Sequence, residues 1–131
     1  MYAYVEGKFT YKTPTVVYVD VGGVGYLINI SVQTYSKIEN LDEGKLFLHL
    51  HVKEDSHTLF GFFELEEKDL FLHLISVSGI GPNTARLVLS SMSPLDVRTA
   101  IVTENVATFK KVKGVGSKTA ERLILELKDK V

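Results

Sequence analysis

The sequence predicts a protein of mixed β and α structure in two domains, a small β-barrel followed by an all-α domain. Up to about residue 63, short runs of Val, Ile, Tyr, Phe and Thr alternate with turn residues, as is typical of half-buried strands. From Glu64 onward, apolar residues instead recur every three or four positions, as in helices. We place the boundary there and predict domains over residues 1–63 and 64–131.

Five runs in the first half predict strands. They are Tyr2–Tyr11, Thr15–Val21, Tyr26–Ser31, Lys45–Val52 and Ser56–Phe63. Thr13-Pro14 and Gly22-Gly23 supply turn signals between them, and residues 32–40 suit a short helix. Five strands with one helical insertion after the third suit a closed barrel such as an OB-fold, although the pattern alone leaves other small barrels open.

The second half contains several helix signals. Residues 65–75 carry leucine, phenylalanine and isoleucine at helical spacing, with charged residues between them, Glu67 included. Ser93-Pro94 begins another helix, because a hydroxyl cap precedes a proline at the first helical position. Residues 104–111 predict a short helix, and Thr119–Lys128 predicts a longer amphipathic one.

Composition excludes several classes of protein. The 131 residues contain no cysteine, which excludes disulfides and thiolate metal sites and fits a reducing cytoplasm. No apolar stretch approaches the roughly 18 residues that a membrane span requires, so we expect no membrane association. The net charge is only −1, but residues 108–131 carry seven basic and three acidic side chains. This basic end could meet an anionic partner.

The most informative feature is an internal repeat at an offset of 35 residues. The segment 78–86, Ser-Gly-Ile-Gly-Pro-Asn-Thr-Ala-Arg, matches the segment 113–121, Lys-Gly-Val-Gly-Ser-Lys-Thr-Ala-Glu. Both copies contain Gly-aliphatic-Gly-x-x-Thr-Ala and lie between an apolar helix and an amphipathic helix. This is the helix-hairpin-helix pattern, and two copies in register are more specific than one.

Each part of the repeat has a physical role. The glycines permit a tight hairpin and remove side chains that would keep a ligand from the backbone. The aliphatic residue between them can anchor the hairpin in the core. The helix that follows begins with unpaired N–H groups, and these donors and the helix dipole suit a phosphate. Lys118 and Arg122 add positive charge at the second copy, and a small Ala85 or Ala120 lets paired helices approach closely.

We therefore predict that both hairpins bind the DNA backbone without reading base sequence. The predicted DNA-binding residues are Gly79, Ile80, Gly81, Pro82, Asn83, Thr84, Gly114, Val115, Gly116, Ser117, Lys118, Thr119 and Arg122. A nucleoside-triphosphate loop is excluded by spacing, because Ser117 separates Gly116 from Lys118 and Lys111 stands where that motif needs a glycine.

Across its whole length the sequence resembles the RuvA family of bacterial Holliday-junction proteins. The segments that carry the resemblance are Val21-Gly22-Gly23-Val24-Gly25-Tyr26, Val52-Lys53-Glu54-Asp55, Leu59-Phe60-Gly61-Phe62, Gly79-Ile80-Gly81-Pro82 and the run from Gly114 to Leu123. The resemblance implies an N-terminal OB-fold and a tandem helix-hairpin-helix domain.

The resemblance also implies a function and partners. It implies structure-selective binding of four-way junction DNA by a fourfold-symmetric homotetramer, or by an octamer of two such tetramers. The implied partners are the RuvB ATPase, which drives branch migration, and the RuvC resolvase, in recombination, DNA repair and the SOS response. Since the ATPase chemistry belongs to RuvB, we expect no catalytic residues, cofactor or metal in this chain.

The resemblance assigns Glu54 and Asp55 to an acidic pin near the tetramer centre, where carboxylates repel phosphates and keep strands apart. A solvated acidic turn is the alternative interpretation of this pair. The sequence departs from the family in two places. Asn83 stands where many members have lysine, so the first hairpin would rely more on backbone donors. The chain ends at Val131, before the family's small C-terminal domain, so we expect junction binding without ATP-driven migration.

Other candidate sites and functions carry less weight. His49 and His51 project to one strand face, which we interpret as a polar surface because no further metal ligands accompany them. A small nuclease or glycosylase stays open as an alternative, although no catalytic set stands out. A protein-interaction module is the other alternative, because paired helix-hairpin-helix motifs also mediate dimerisation.

Overall fold

The computed structural model describes all residues from 1 to 131 and contains five strands and six helices. In chain order these are β1 (Tyr4–Lys12), β2 (Val16–Val21), β3 (Val24–Asn29), α1 (Val32–Ile38), β4 (Glu43–Lys53), β5 (Ser56–Phe62), α2 (Leu65–Ile75), α3 (Pro82–Ser91), α4 (Pro94–Val102), α5 (Val106–Lys110) and α6 (Ser117–Leu127). The chain divides into two compact units, Met1–Lys68 and Asp69–Val131.

The first unit is a closed barrel with the strand order β1-β2-β3-β5-β4. All neighbouring strands are antiparallel except β3 and β5, which run parallel and share the single aligned pair Asn29 and Phe60. Gly61 permits close approach at this junction, because a Cβ atom there would lie 2.5 Å from Ile28 Cγ2. The predicted barrel of five strands, with one helix after the third, is confirmed.

Side chains that alternate along the strands determine which residues form the barrel core. Alternate residues point inward because successive strand residues face opposite sides. The core residues are Val5, Phe9, Val17, Val19, Ile28, Ile30, Ile38, Leu46 and Leu48. In β4 the buried Leu46 and Leu48 alternate with the partly exposed Phe47 and His49.

A buried polar cluster joins α1 to the first turn of α2. The carboxylate of Glu67 accepts hydrogen bonds from Ser31 Oγ and Thr34 Oγ1, each at 2.5 Å. The two hydroxyls in turn accept from backbone amides, Ser31 Oγ from Thr34 and Thr34 Oγ1 from Phe63, both at 3.1 Å. Glu67 is only 3% exposed, although it is one of the charged residues between the apolar positions of this helix.

Two helices of the second unit, α4 and α5, begin at side-chain caps. Ser93 precedes α4 and its Oγ accepts from Asp96 N at 3.1 Å, while Asn105 caps α5 through Thr108 N at 3.2 Å. The predicted starts near residues 93 and 104 are therefore confirmed. α6 starts at Ser117, two residues before the predicted Thr119. Every helix falls short of the length and apolarity that crossing a membrane requires.

Candidate nucleic-acid interface

The two copies of the repeat form hairpins with the same backbone geometry. Gly79 and Gly114 adopt positive φ angles of 94° and 91°, a conformation that side chains with a Cβ atom disfavour. After each of them, the aliphatic residue turns inward and is buried, Ile80 at 4% and Val115 at 5% exposure. The predicted anchoring of both hairpins in the core is therefore confirmed.

Hydrogen bonding within the hairpins also repeats at the 35-residue offset. Ile80 N donates to Val77 O, and Val115 N donates to Val112 O, both at 3.1 Å. Ala85 and Ala120, which lie one turn into the following helices, are fully buried. These correspondences show that the sequence repeat is a structural repeat.

Helices α3 and α6 begin directly at the hairpins, with Gly81 and Gly116 as their N-caps. Both caps are extended, with φ and ψ of −89° and 175° for Gly81 and −88° and 178° for Gly116. No side chain caps either helix, and a Cβ atom at either glycine would meet nothing within 4 Å. The first-turn amides are therefore accessible, and the positive end of the helix dipole favours an anion there.

The two helix ends differ in their donors. In α6 the first three residues, Ser117, Lys118 and Thr119, all carry an N–H group. In α3 the first residue is Pro82, which has none, so one donor fewer is available. The second hairpin therefore offers more donors to an anion.

Charge differs between the hairpins as well. Lys118 is exposed at the second hairpin, whereas the matching Asn83 is neutral and its Oδ1 accepts from Arg86 at 3.4 Å. Arg86 is thus a cation beside the first hairpin, although it is not among the residues predicted from the sequence to bind DNA. The signal in the sequence is that Arg86 is basic where the equivalent position of the second repeat is the acidic Glu121. Arg122 forms an exposed i,i+4 ion pair with Glu126 at 3.9 Å, a contact of small energy.

Glu54 and Asp55 form the two-residue turn between β4 and β5, where Lys53 pairs with Ser56. Both acidic residues are exposed. They belong to the barrel unit, and the hairpins belong to the other. The structure therefore places the pair at a solvent-facing hairpin tip, which is compatible with both interpretations of it.

His49 and His51 lie on one face of β4, with their ring centroids 6.1 Å apart. Burial, together with the nearby His51 and Lys68, lowers the pKa of His49 below its ordinary value of 6.5. No group of three or more metal-ligating side chains occurs anywhere in the chain.

Comparison with known proteins agrees with this architecture. Residues 1–61 match the family model described as the RuvA N terminal domain, and residues 71–129 match the SAM-like helix-hairpin-helix tandem. Three curated relatives align with the whole chain, and each is named Holliday junction branch migration complex subunit RuvA. They come from Cytophaga hutchinsonii (56% identical, with 66% of the relative covered), Christiangramia forsetii (51%, 68%) and Geobacter sulfurreducens (48%, 66%). The chain spans about two thirds of the length of these relatives.

The chain is therefore a two-domain protein, with an OB-like barrel of five strands followed by a tandem helix-hairpin-helix unit. About half of the residues, over the whole chain, are identical to those of its relatives, and this identity shows the family. The chain belongs to the RuvA family.

Proposed function

We propose that this chain binds the phosphate backbone of four-way junction DNA in a structure-selective manner, without reading base sequence. The observation that carries the proposal is the pair of equivalent hairpins, each of which presents an uncapped helix N-terminus beside glycines. The names of the relatives support the choice of junction DNA as the substrate. The contacts would be those of the predicted site residues in both hairpins.

The proposal includes a non-catalytic scaffold role. We infer a homotetramer, or an octamer, in the cytoplasm. For the full-length protein we infer that it recruits the RuvB ATPase for branch migration and acts before the RuvC resolvase. The names of the relatives support the branch-migration part of this role, since they describe a subunit of that complex. In this account the chain binds the junction DNA as a scaffold, and RuvB supplies the ATPase chemistry.

A competition gel shift tests the proposal directly. Labelled four-way junction is challenged with linear duplex made from the same arm sequences, at two salt concentrations. We expect the junction to be preferred and binding to weaken steeply with salt, because phosphate contacts release counterions. Equal affinity for the two DNA forms would refute structure selectivity, and absence of binding at low salt would refute DNA binding altogether.

Removing the exposed cation of the second hairpin should weaken binding to every DNA sequence. For Lys118→Ala we expect the slope of log affinity against log salt to flatten by about one unit, because one phosphate contact is lost. The measurement is a fluorescence anisotropy titration at several salt concentrations. Lys130→Ala, which removes the same charge beyond the far end of α6, is the matched control. An unchanged slope in Lys118→Ala would show that Lys118 does not contact phosphate.

Neutralising the acidic turn should change selectivity more than affinity. For the double variant Glu54→Gln, Asp55→Asn we expect junction binding to be retained or strengthened and the preference for the open junction to decrease, because repulsion at the crossover is removed. Junction conformation is measured by fluorescence energy transfer between labelled arms. The matched control is the double variant Glu39→Gln, Asp42→Asn, which removes the same two negative charges from other exposed positions of the barrel unit. If neutralising the turn abolishes binding, the repulsion account is wrong.

A further inference from the structure

Each hairpin glycine faces a threonine of the other repeat. A Cβ atom built on Gly79 would lie 3.5 Å from Thr119 Oγ1 and 3.7 Å from its Cγ2. A Cβ atom built on Gly114 would lie 3.4 Å from Thr84 Oγ1 and 3.8 Å from its Cγ2. The two contacts are equivalent, since both the glycines and the threonines are 35 residues apart.

The threonines occupy the third residue of each helix that follows a hairpin, Thr84 in α3 and Thr119 in α6. Both side chains are half-buried, whereas the residue before each is exposed. A threonine therefore belongs to the first turn at one candidate phosphate site and packs against the hairpin of the other. Each hairpin therefore has a side chain of the opposite repeat beside its first glycine.

We propose that Thr84 and Thr119 are positioning residues that fix the separation of the two hairpins, so that the domain presents two phosphate sites as one rigid pair. The proposal rests on the proposed function of the hairpins in DNA binding. Two sites held at the correct separation bind together without the entropy cost of ordering one after the other. Glycine suits both positions because their φ angles of 94° and 91° disfavour a side chain, whereas a Cβ atom there would only reach van der Waals contact with the threonine.

Each threonine lies beside the hairpin of the other repeat, and this crossed arrangement can be tested on the protein without DNA. Thr84→Ala should accelerate hydrogen exchange of the Val115 amide, which closes the second hairpin, and leave that of Ile80, in the same repeat as Thr84, unchanged. Thr119→Ala should do the reverse. Thr99→Ala, an exposed threonine in α4, is the matched control and should affect neither amide. Faster exchange confined to the repeat that carries the substitution, or equal in both, would overturn the proposal.

Junction binding then separates support of the hairpin from direct hydrogen bonding to phosphate. Thr84→Val keeps the shape and removes the hydroxyl, while Thr84→Ser keeps the hydroxyl and removes the methyl group. We expect Thr84→Ala to weaken junction binding roughly three- to tenfold. Thr84→Val should bind junctions more tightly than Thr84→Ala, with Thr84→Ser between the two. Binding retained by serine and lost by valine would overturn the positioning role in favour of a hydroxyl–phosphate contact.

The two experiments distinguish this proposal from the proposed function. If the natural protein fails to bind junctions while the crossed exchange pattern is observed, DNA binding is wrong and the threonine support still holds. If the natural protein binds junctions and the crossed pattern is absent, the threonine proposal is wrong and DNA binding still holds.

Discussion

Replacing Gly116 with valine is expected to weaken four-way junction binding roughly ten- to a hundredfold while leaving the fold intact. The backbone at Gly116 is extended, a conformation open to any residue, and a Cβ atom there meets nothing within 4 Å. A branched side chain would nevertheless lie beside the first-turn amides of α6 and keep a phosphate from them. Losing one or two hydrogen bonds to a charged group accounts for an effect of this size.

The design of this experiment depends on choosing the right glycine. Gly114→Val would combine blocking with strain, because φ is 91° and the new side chain would contact Thr84. Gly25→Val is the matched control, since Gly25 lies in a strand of the barrel unit and also has open space around its Cβ position. Binding is measured by anisotropy and folding by circular dichroism. Junction binding by Gly116→Val at natural affinity would show that the α6 amides do not contact DNA.

Replacing Glu67 with alanine should lower the free energy of unfolding by about 2–4 kcal/mol. Two buried hydroxyls, on Ser31 and Thr34, lose their acceptor, and a buried donor without a partner costs about 1–3 kcal/mol. The measurement is urea unfolding followed by circular dichroism. Asp69→Ala, which removes one exposed carboxylate from the same helix, should change stability by less than about 0.5 kcal/mol. Equal stability of the two variants would mean that the cluster contributes nothing to the fold.

The same carboxylate should make stability depend on pH. Burial raises the pKa of Glu67 above its ordinary value of 4.5. The hydrogen bonds from Ser31 and Thr34 oppose this rise, and the negative charge of Glu64 adds to it. The folded protein therefore binds this proton more tightly than the unfolded chain does. The resulting stabilisation is fully present below pH 4.5 and is lost as the pH rises through the raised pKa. Relative to Glu67→Gln, the natural protein should accordingly lose stability between acid and neutral pH, as urea unfolding at several pH values would show.

Local patterns were sufficient to predict most of the fold. The run Lys45–Val52 predicted a strand, and Ser93-Pro94 predicted the start of α4; both are observed. In the strand Leu46 and Leu48 are buried, whereas Val52 is exposed. These signals are short-range, because strand period and helix caps depend on residues within a few positions of each other. The hairpins were predictable for the same reason, since the glycines and the following helix are contiguous in sequence.

Long-range contacts were the part that sequence did not reveal. Glu67 was placed among charged neighbours, yet it is buried, because its two partners lie 33 and 36 positions earlier in the chain. The proximity of Thr84 to Gly114, and of Thr119 to Gly79, could not be predicted from the sequence either. A repeat indicates that two segments share a structure, but it does not indicate which residues of one copy face the other.

The closure of the barrel has a consequence for folding kinetics. β3 and β5 share one aligned residue pair, whereas the other four strand junctions are extensive, and Asn29 Nδ2 adds a hydrogen bond of 3.2 Å to Leu59 O across the junction. The contact joins segments about 30 residues apart, so it gains few hydrogen bonds for a considerable loop-closure cost. This junction should therefore be the last to form during folding and the first to open in local fluctuations. Before this junction forms, the strands would be an open sheet in the order β3-β2-β1-β4-β5, and the barrel would close late.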